Sequence, residues 1–164
     1  MKPLLHFIFA SLLLATLAAC SKQPDHDHAA SPTVAARKHE HRAPHGGTAI
    51  VLGAEVYHLE LVLDAPAGKL TAYVLDGEME NFIRVPAPSF EIVATVGGEK
   101  RPLAFRAVVN PATGETVGDT SQFDAQADWL KTTPAFDAVL SALTIKGTAF
   151  TAVAFNFPKG NERE

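Results

Sequence analysis

The chain has 164 residues, 47% of them hydrophobic, and a formal net charge of −4, so it is long enough to bury the core of one compact domain. A mildly acidic chain without a Lys- and Arg-rich stretch attracts nucleic acid poorly, and we therefore expect no nucleic-acid partner. Cys20 is the only cysteine, so no disulfide can form within the chain and the core must supply the stability.

Residues 1–19 have the composition of a secretory signal peptide. A basic start at Lys2 is followed by an apolar run that extends to Leu17 and by small residues. The run is too short to favour a permanent transmembrane helix.

The ending Leu17-Ala18-Ala19-Cys20 resembles the processing box of bacterial lipoproteins. The resemblance implies cleavage before Cys20 and acylation of its thiol, which would attach the protein to a membrane through lipid. Ser21 resembles the residue that directs such proteins to the outer membrane of a Gram-negative cell. We therefore expect a lipid-anchored, periplasm-facing protein of the bacterial envelope.

Residues 20–43 are predicted to form a flexible tether, because they are poor in large apolar side chains. Four of the histidines that could bind metal lie here: His26, His28, His39 and His41. Neutral imidazole suits Zn(II), Cu(II), Ni(II) and Co(II). Met79 is the only thioether after processing, which disfavours a soft Cu(I) site. The alternative is a solvated linker with incidental histidines.

Residues 44–160 are predicted to form an all-β domain. Short apolar segments alternate with Gly, Pro, Asn and Asp clusters, the pattern of an antiparallel β-sandwich of the immunoglobulin-like type. The predicted strands are 55–63, 70–75, 89–96, 103–109 and 148–157. The last of these is apolar on both faces, so we expect it to be central in its sheet.

One segment of this domain has helical spacing. Its apolar residues fall at i, i+3, i+4 and i+7, and they are Phe136, Val139, Leu140 and Leu143. Thr133 is a suitable N-cap and Pro134 suits the first helical position. The pattern predicts one short helix across an end of the sandwich.

A metal site at the edge of the domain is predicted from three residues. His45 lies in Pro44-His45-Gly46-Gly47, immediately before the first strand, while His58 and Glu60 lie two apart on one strand, pointing away from the core. Together they offer three ligands to a single ion. The alternative is a tight glycine-containing entry to the domain beside a solvated polar strand face.

The segments 44–47, 57–61 and 68–77 resemble the His-Gly-Gly β-domain found at the N-terminus of some periplasmic adaptors of heavy-metal efflux systems. The resemblance covers about positions 44–109 and implies periplasmic metal handling, with His45 and Glu60 at the matching positions. Those adaptors also contain coiled-coil and barrel domains, for which we expect no counterpart in this chain. We therefore expect a free-standing lipoprotein relative, with a metal-efflux or other envelope protein as partner.

These features predict a lipid-anchored periplasmic protein that buffers, senses or delivers a divalent transition metal. No Gly-x-Ser-x-Gly, His-Glu-x-x-His or phosphate-binding glycine motif occurs in the sequence, so we do not expect an enzyme. The alternative is a structural or interaction lipoprotein of the envelope with no role in metal binding.

Overall fold

The structure is a computed structural model that describes residues 42–162. The predicted signal peptide, Cys20 and the histidines at positions 26, 28, 39 and 41 lie outside the described residues. The described residues form eight β-strands, which are in chain order β1 (Thr48–Leu52), β2 (Tyr57–Asp64), β3 (Lys69–Asp76), β4 (Ser89–Val96), β5 (Glu99–Ala107), β6 (Gln122–Gln126), β7 (Phe136–Ile145) and β8 (Thr148–Phe157). A short 3₁₀ helix, Asp128–Lys131, lies between β6 and β7.

All eight strands belong to one antiparallel sheet in the order β1-β2-β3-β6-β5-β4-β7-β8. The sheet is nearly closed, because residues after β8 return to β1. The Val51 amide donates to Asn161 Oδ1 at 2.7 Å, and Thr48 Oγ1 donates to the Pro158 carbonyl at 3.2 Å. The prediction of an all-β, antiparallel, sandwich-like domain is therefore confirmed, with its strands in a single continuous sheet.

The inner face of the sheet forms one hydrophobic core. On β2 the alternate residues Leu59 and Leu61 are fully buried within it, as the period of two in the sequence predicts. Phe105 and Phe123 enter the same core from β5 and β6. Each fully buried side chain of this size contributes about 1.5–3 kcal/mol relative to exposure.

The predicted helix at residues 136–143 is wrong, because this segment is strand β7. Phe136, Ala138 and Leu140 alternate inward as in a regular strand, and the pairing of β7 with β4 then shifts between Glu91 and Ile92. One extra residue in β7 changes the phase of the alternation, so that Leu143 is the next core residue. Val139 is on the outer face and 38% exposed. A β-bulge therefore produced a spacing that imitates a helix.

Strand β8 has the predicted bounds, but it is the last strand in the sheet order rather than a central one. Phe150, Phe155 and Phe157 are its core residues. Its outer positions are small and exposed, including Ala149 and Ala154. Alanine on a solvent-facing position therefore gave the segment its two-sided apolar pattern.

Candidate metal-binding edge

Strand β2 positions Glu60 on the outer face of the sheet. Glu60 pairs with Ala49 of β1 and with Tyr73 of β3. Its side chain points away from the core, on the opposite side from Leu59 and Leu61, as predicted. However, Glu60 is 0% exposed. The interpretation of this strand face as solvated is therefore wrong, because another part of the chain covers it.

The covering part is the segment 44–47, whose His45 and Gly47 contact the Glu60 carboxylate. Its turn is closed by the Gly46 amide, which donates to the Ala43 carbonyl at 3.0 Å, and Pro44 occupies a turn position that its fixed φ favours. Gly46 has a positive φ of 69°. Gly47 lies so close to β2 that an added Cβ would be 2.5 Å from the Leu61 carbonyl oxygen. The two glycines are thus needed for different reasons, a backbone angle and a close approach.

The carboxylate of Glu60 makes three hydrogen bonds with this segment. Its Oε1 accepts from the backbone amides of His45 at 2.7 Å and Gly47 at 2.9 Å. Its Oε2 lies 2.8 Å from Nδ1 of the His45 ring. These bonds compensate the loss of hydration that a buried carboxylate suffers. Glu60 therefore joins the start of the domain to the outer face of β2.

Two aromatic side chains fix the position of the His45 ring. The ring stacks on Tyr73, with a centroid separation of 3.9 Å and an interplanar angle of 14°. The centroid of the Phe82 ring lies 5.7 Å from that of His45 and 6.0 Å from that of Tyr73. Burial, followed by the negative charges of Asp124 and Glu60, raises the pKa of Tyr73, so its phenol stays protonated at neutral pH. The His45 side chain remains 37% exposed.

His58 lies on the same strand face as Glu60 and is also fully buried. Its Nδ1 is 3.3 Å from the carbonyl oxygen of Asp76 at the end of β3. The structure thus brings His45 and Glu60 into contact and places His58 against the backbone of β3. Within residues 42–162 no group of three or more His, Cys, Asp or Glu side chains is arranged to hold a metal ion.

A second buried carboxylate provides an internal reference for this site. Glu115, in the connection between β5 and β6, is 7% exposed. Its Oε1 accepts from the amide and hydroxyl of Ser121 at 2.8 and 2.6 Å, and its Oε2 accepts from the Thr113 hydroxyl at 2.7 Å. Burial opposes ionisation, but these hydrogen bonds outweigh burial and lower the pKa of Glu115. No imidazole takes part in this network.

Sequence reasoning missed both aromatic partners of His45. The position of Tyr73 could have been found by counting back from the turn between β2 and β3, because Asp64 pairs with Lys69 and Glu60 therefore pairs with Tyr73. Phe82 lies in an irregular connection and is 48% exposed. No periodicity in the sequence marks it.

Comparisons with protein-family models, with curated proteins and with solved structures found no match to this chain. None of the helical segments among residues 42–162 has both the length and the apolar character needed to span a bilayer.

Proposed function

We propose that this protein is a lipid-anchored protein of the bacterial envelope that binds divalent transition metal ions and buffers, senses or delivers them. The observation that carries the proposal is the pair formed by His45 and Glu60. In metal sites a ligating imidazole usually donates its other ring N–H to a carboxylate or carbonyl, which fixes the orientation of the ring. The contact between His45 Nδ1 and the buried Glu60 has this form.

The types of donor in the chain define the class of metal. Imidazole is a borderline ligand that suits Zn(II), Cu(II), Ni(II) and Co(II). The thioether of Met79 is buried, at 3% exposure, and so does not offer a soft ligand at the surface. The four histidines at positions 26, 28, 39 and 41 precede His45 closely in the sequence, and they add imidazoles of the same class.

The proposed location depends on Cys20. An acylated Cys20 would hold the β-domain on the periplasmic face of a membrane, in the outer membrane of a Gram-negative host. A metal-efflux system or another envelope protein is the proposed partner.

Metal titration of the full chain tests the proposal. The protein is purified in detergent without a histidine tag and titrated with Zn(II) and Cu(II) against a chelating indicator. Three variants accompany it: one with His26, His28, His39 and His41 changed to Asn, one with His45→Asn, and one with all five changes. We expect stoichiometry to fall in the first variant and binding to disappear in the last. Absence of binding by the unaltered chain would contradict the proposal.

The anchor is tested separately by expressing the Cys20→Ser chain in a Gram-negative bacterium. The wild-type protein should sediment with membranes and carry the added mass of acyl chains, whereas Cys20→Ser should not carry that mass. Equal masses for the two processed proteins would contradict the lipid anchor and leave the metal proposal intact.

The second candidate function is docking to an envelope partner without metal. The exposed Phe82, which stacks edge-on against Tyr73 beside the start of the domain, favours it. Failure of every metal titration, together with loss of a crosslinked membrane partner in Phe82→Ser, would favour docking over metal binding.

A further inference from the structure

On the basis of the proposed function, we infer that Glu60 is a positioning residue and not a metal ligand, and that it sets His45 to bind a divalent transition metal through Nε2. The sequence pattern predicts both His45 and Glu60 as metal ligands. In this inference only His45 binds the metal, and Glu60 orients the His45 ring. His45 is then the ligand that the described residues supply, and water fills the coordination positions that remain.

Both oxygens of Glu60 are already engaged. Oε1 accepts from two backbone amides and Oε2 from the His45 ring, and the residue is 0% exposed. Direct coordination of an ion would withdraw acceptors from these amides in a buried setting. A buried donor left without an acceptor loses its hydrogen bond without regaining one to water, which is unfavourable. The existing bonds therefore oppose a change of Glu60 from acceptor to ligand.

The same bonds determine where the proton of a neutral His45 ring lies. An ionised carboxylate can only accept hydrogen bonds, so Nδ1 must carry the proton in the 2.8 Å contact with Oε2. Nε2 then carries the lone pair, which is what a metal ion requires. Glu60 thus selects the tautomer that can coordinate metal.

Two sides of the His45 ring are occupied by neighbouring side chains. One face is covered by Tyr73, and the Nδ1 edge is directed at the buried Glu60. The side chain is nevertheless 37% exposed. Stacking and hydrogen bonding together restrict rotation of the ring, so the ligand is held in place before an ion arrives.

The substitution Glu60→Gln provides a sharp test because its chemical consequence can be derived. The two backbone amides of His45 and Gly47 require an oxygen acceptor, which places the Gln amide oxygen at the Oε1 position. The Gln NH₂ group must then face Nδ1 and donate to it. The ring proton moves to Nε2, and the lone pair needed for metal is lost.

The experiment records ¹⁵N spectra of the histidine rings in the full chain, in detergent and in mildly alkaline buffer where free imidazole is neutral. We expect wild-type His45 to carry its proton on Nδ1, and substoichiometric Cu(II) to broaden its ring signals. In Glu60→Gln the proton should be on Nε2, and the affinity contributed by His45 should fall about 10–100-fold. Glu115→Gln, which alters the other buried carboxylate, should leave both readouts unchanged.

Three results would overturn the inference. They are a wild-type His45 protonated at Nε2, a His45 ring that stays sharp while other histidines broaden, and a larger affinity loss in Glu60→Gln than in His45→Asn. The second result would leave the proposed function standing, whereas absence of metal binding at every histidine would contradict the proposed function itself. The wild-type tautomer is measured without any substitution, so the inference can fail even if Glu60→Gln does not fold.

Discussion

Two buried glutamates of this domain compensate the loss of hydration of a carboxylate with different hydrogen-bond partners. Glu60 and Glu115 each lose their hydration, and each makes three hydrogen bonds with neighbouring residues instead. The partners of Glu115 are the hydroxyls of Thr113 and Ser121 and one backbone amide. Those of Glu60 are two backbone amides and an imidazole. Glu60 therefore has an imidazole and a second amide where Glu115 has two hydroxyls.

That difference separates a structural role from a chemical one. A hydroxyl can rotate to donate or to accept, so the contact of Thr113 with Glu115 can adapt to a changed partner. An imidazole can exchange donor for acceptor only by moving its proton to the other nitrogen. The His45 contact therefore couples the hydrogen-bonding state of Glu60 to the opposite nitrogen of a ring whose side chain is partly exposed. The Glu115 network contains no imidazole, so a change at Glu115 alters no ring nitrogen.

The largest effect that we expect comes from the glycines beside the two carboxylates. Gly47→Ala would place Cβ 2.5 Å from the backbone oxygen of Leu61, whereas a Cβ at Gly114 meets no atom within 4 Å. Gly47→Ala should therefore cost about 3 kcal/mol, as overpacking does. Gly114→Ala should cost about 1 kcal/mol, because only its positive φ of 71° is strained. Denaturant unfolding of both variants measures the two costs.

Equal costs for the two alanine variants would mean that the segment before β1 moves away from β2 without difficulty. The Glu60 network would then be loosely held, unlike that of Glu115. A ring positioned by such a segment would not be fixed in advance for an ion, and the contrast between the two glutamates would lose its physical basis.

The two glutamine variants should be similar in stability and different in their response to metal. Glu60→Gln and Glu115→Gln each replace charge-assisted hydrogen bonds by neutral ones, so each should lower the free energy of unfolding by about 1–2 kcal/mol. An ion held by His45 in the folded domain stabilises that state by mass action. Zn(II) should therefore raise the Tm of wild type and Glu115→Gln, and raise that of Glu60→Gln much less.

Thermal unfolding with and without Zn(II), with a chelator added back at the end, makes this measurement. Ions held only by residues that do not belong to the folded domain would bind the folded and unfolded chain alike, and would leave every Tm unchanged. An equal rise of Tm in both glutamine variants would show that metal stabilises the domain independently of Glu60.

The residues on the inner face of the sheet could be predicted from the sequence. The segment that covers the outer face could not. The alternation of Leu59 and Leu61 with His58 and Glu60 has a period of two, and the structure has the core on the predicted side. Coverage of Glu60 depends on where the chain before β1 crosses β2, which no local pattern encodes. The glycine pair indicated a close approach, without indicating its target.

The helix prediction failed for a related reason. The bulge in β7 is set by its pairing with β4, a partner distant in sequence, and an inserted residue converts a period of two into a mixture of spacings. Similarly, β8 appeared central because exposed alanines count as apolar in a pattern while they bury little surface. Both errors arise from reading one strand without its neighbours.

The smallest expected effect is the acid dependence of the Glu115 network. Because the pKa of Glu115 in the folded protein is below its ordinary value of 4.5, its ionised form contributes stability above about that pH. This contribution should be lost as the pH falls through the lowered pKa, since the protonated acid no longer accepts as strongly from Ser121 and Thr113.

Glu115→Gln cannot ionise. The difference in unfolding free energy between wild type and Glu115→Gln should therefore be constant above about pH 5 and shrink in more acidic buffers. A difference that grows with acidity would mean that burial, rather than hydrogen bonding, controls this carboxylate, and that the Thr113 and Ser121 hydroxyls compensate its buried charge less well than their distances imply.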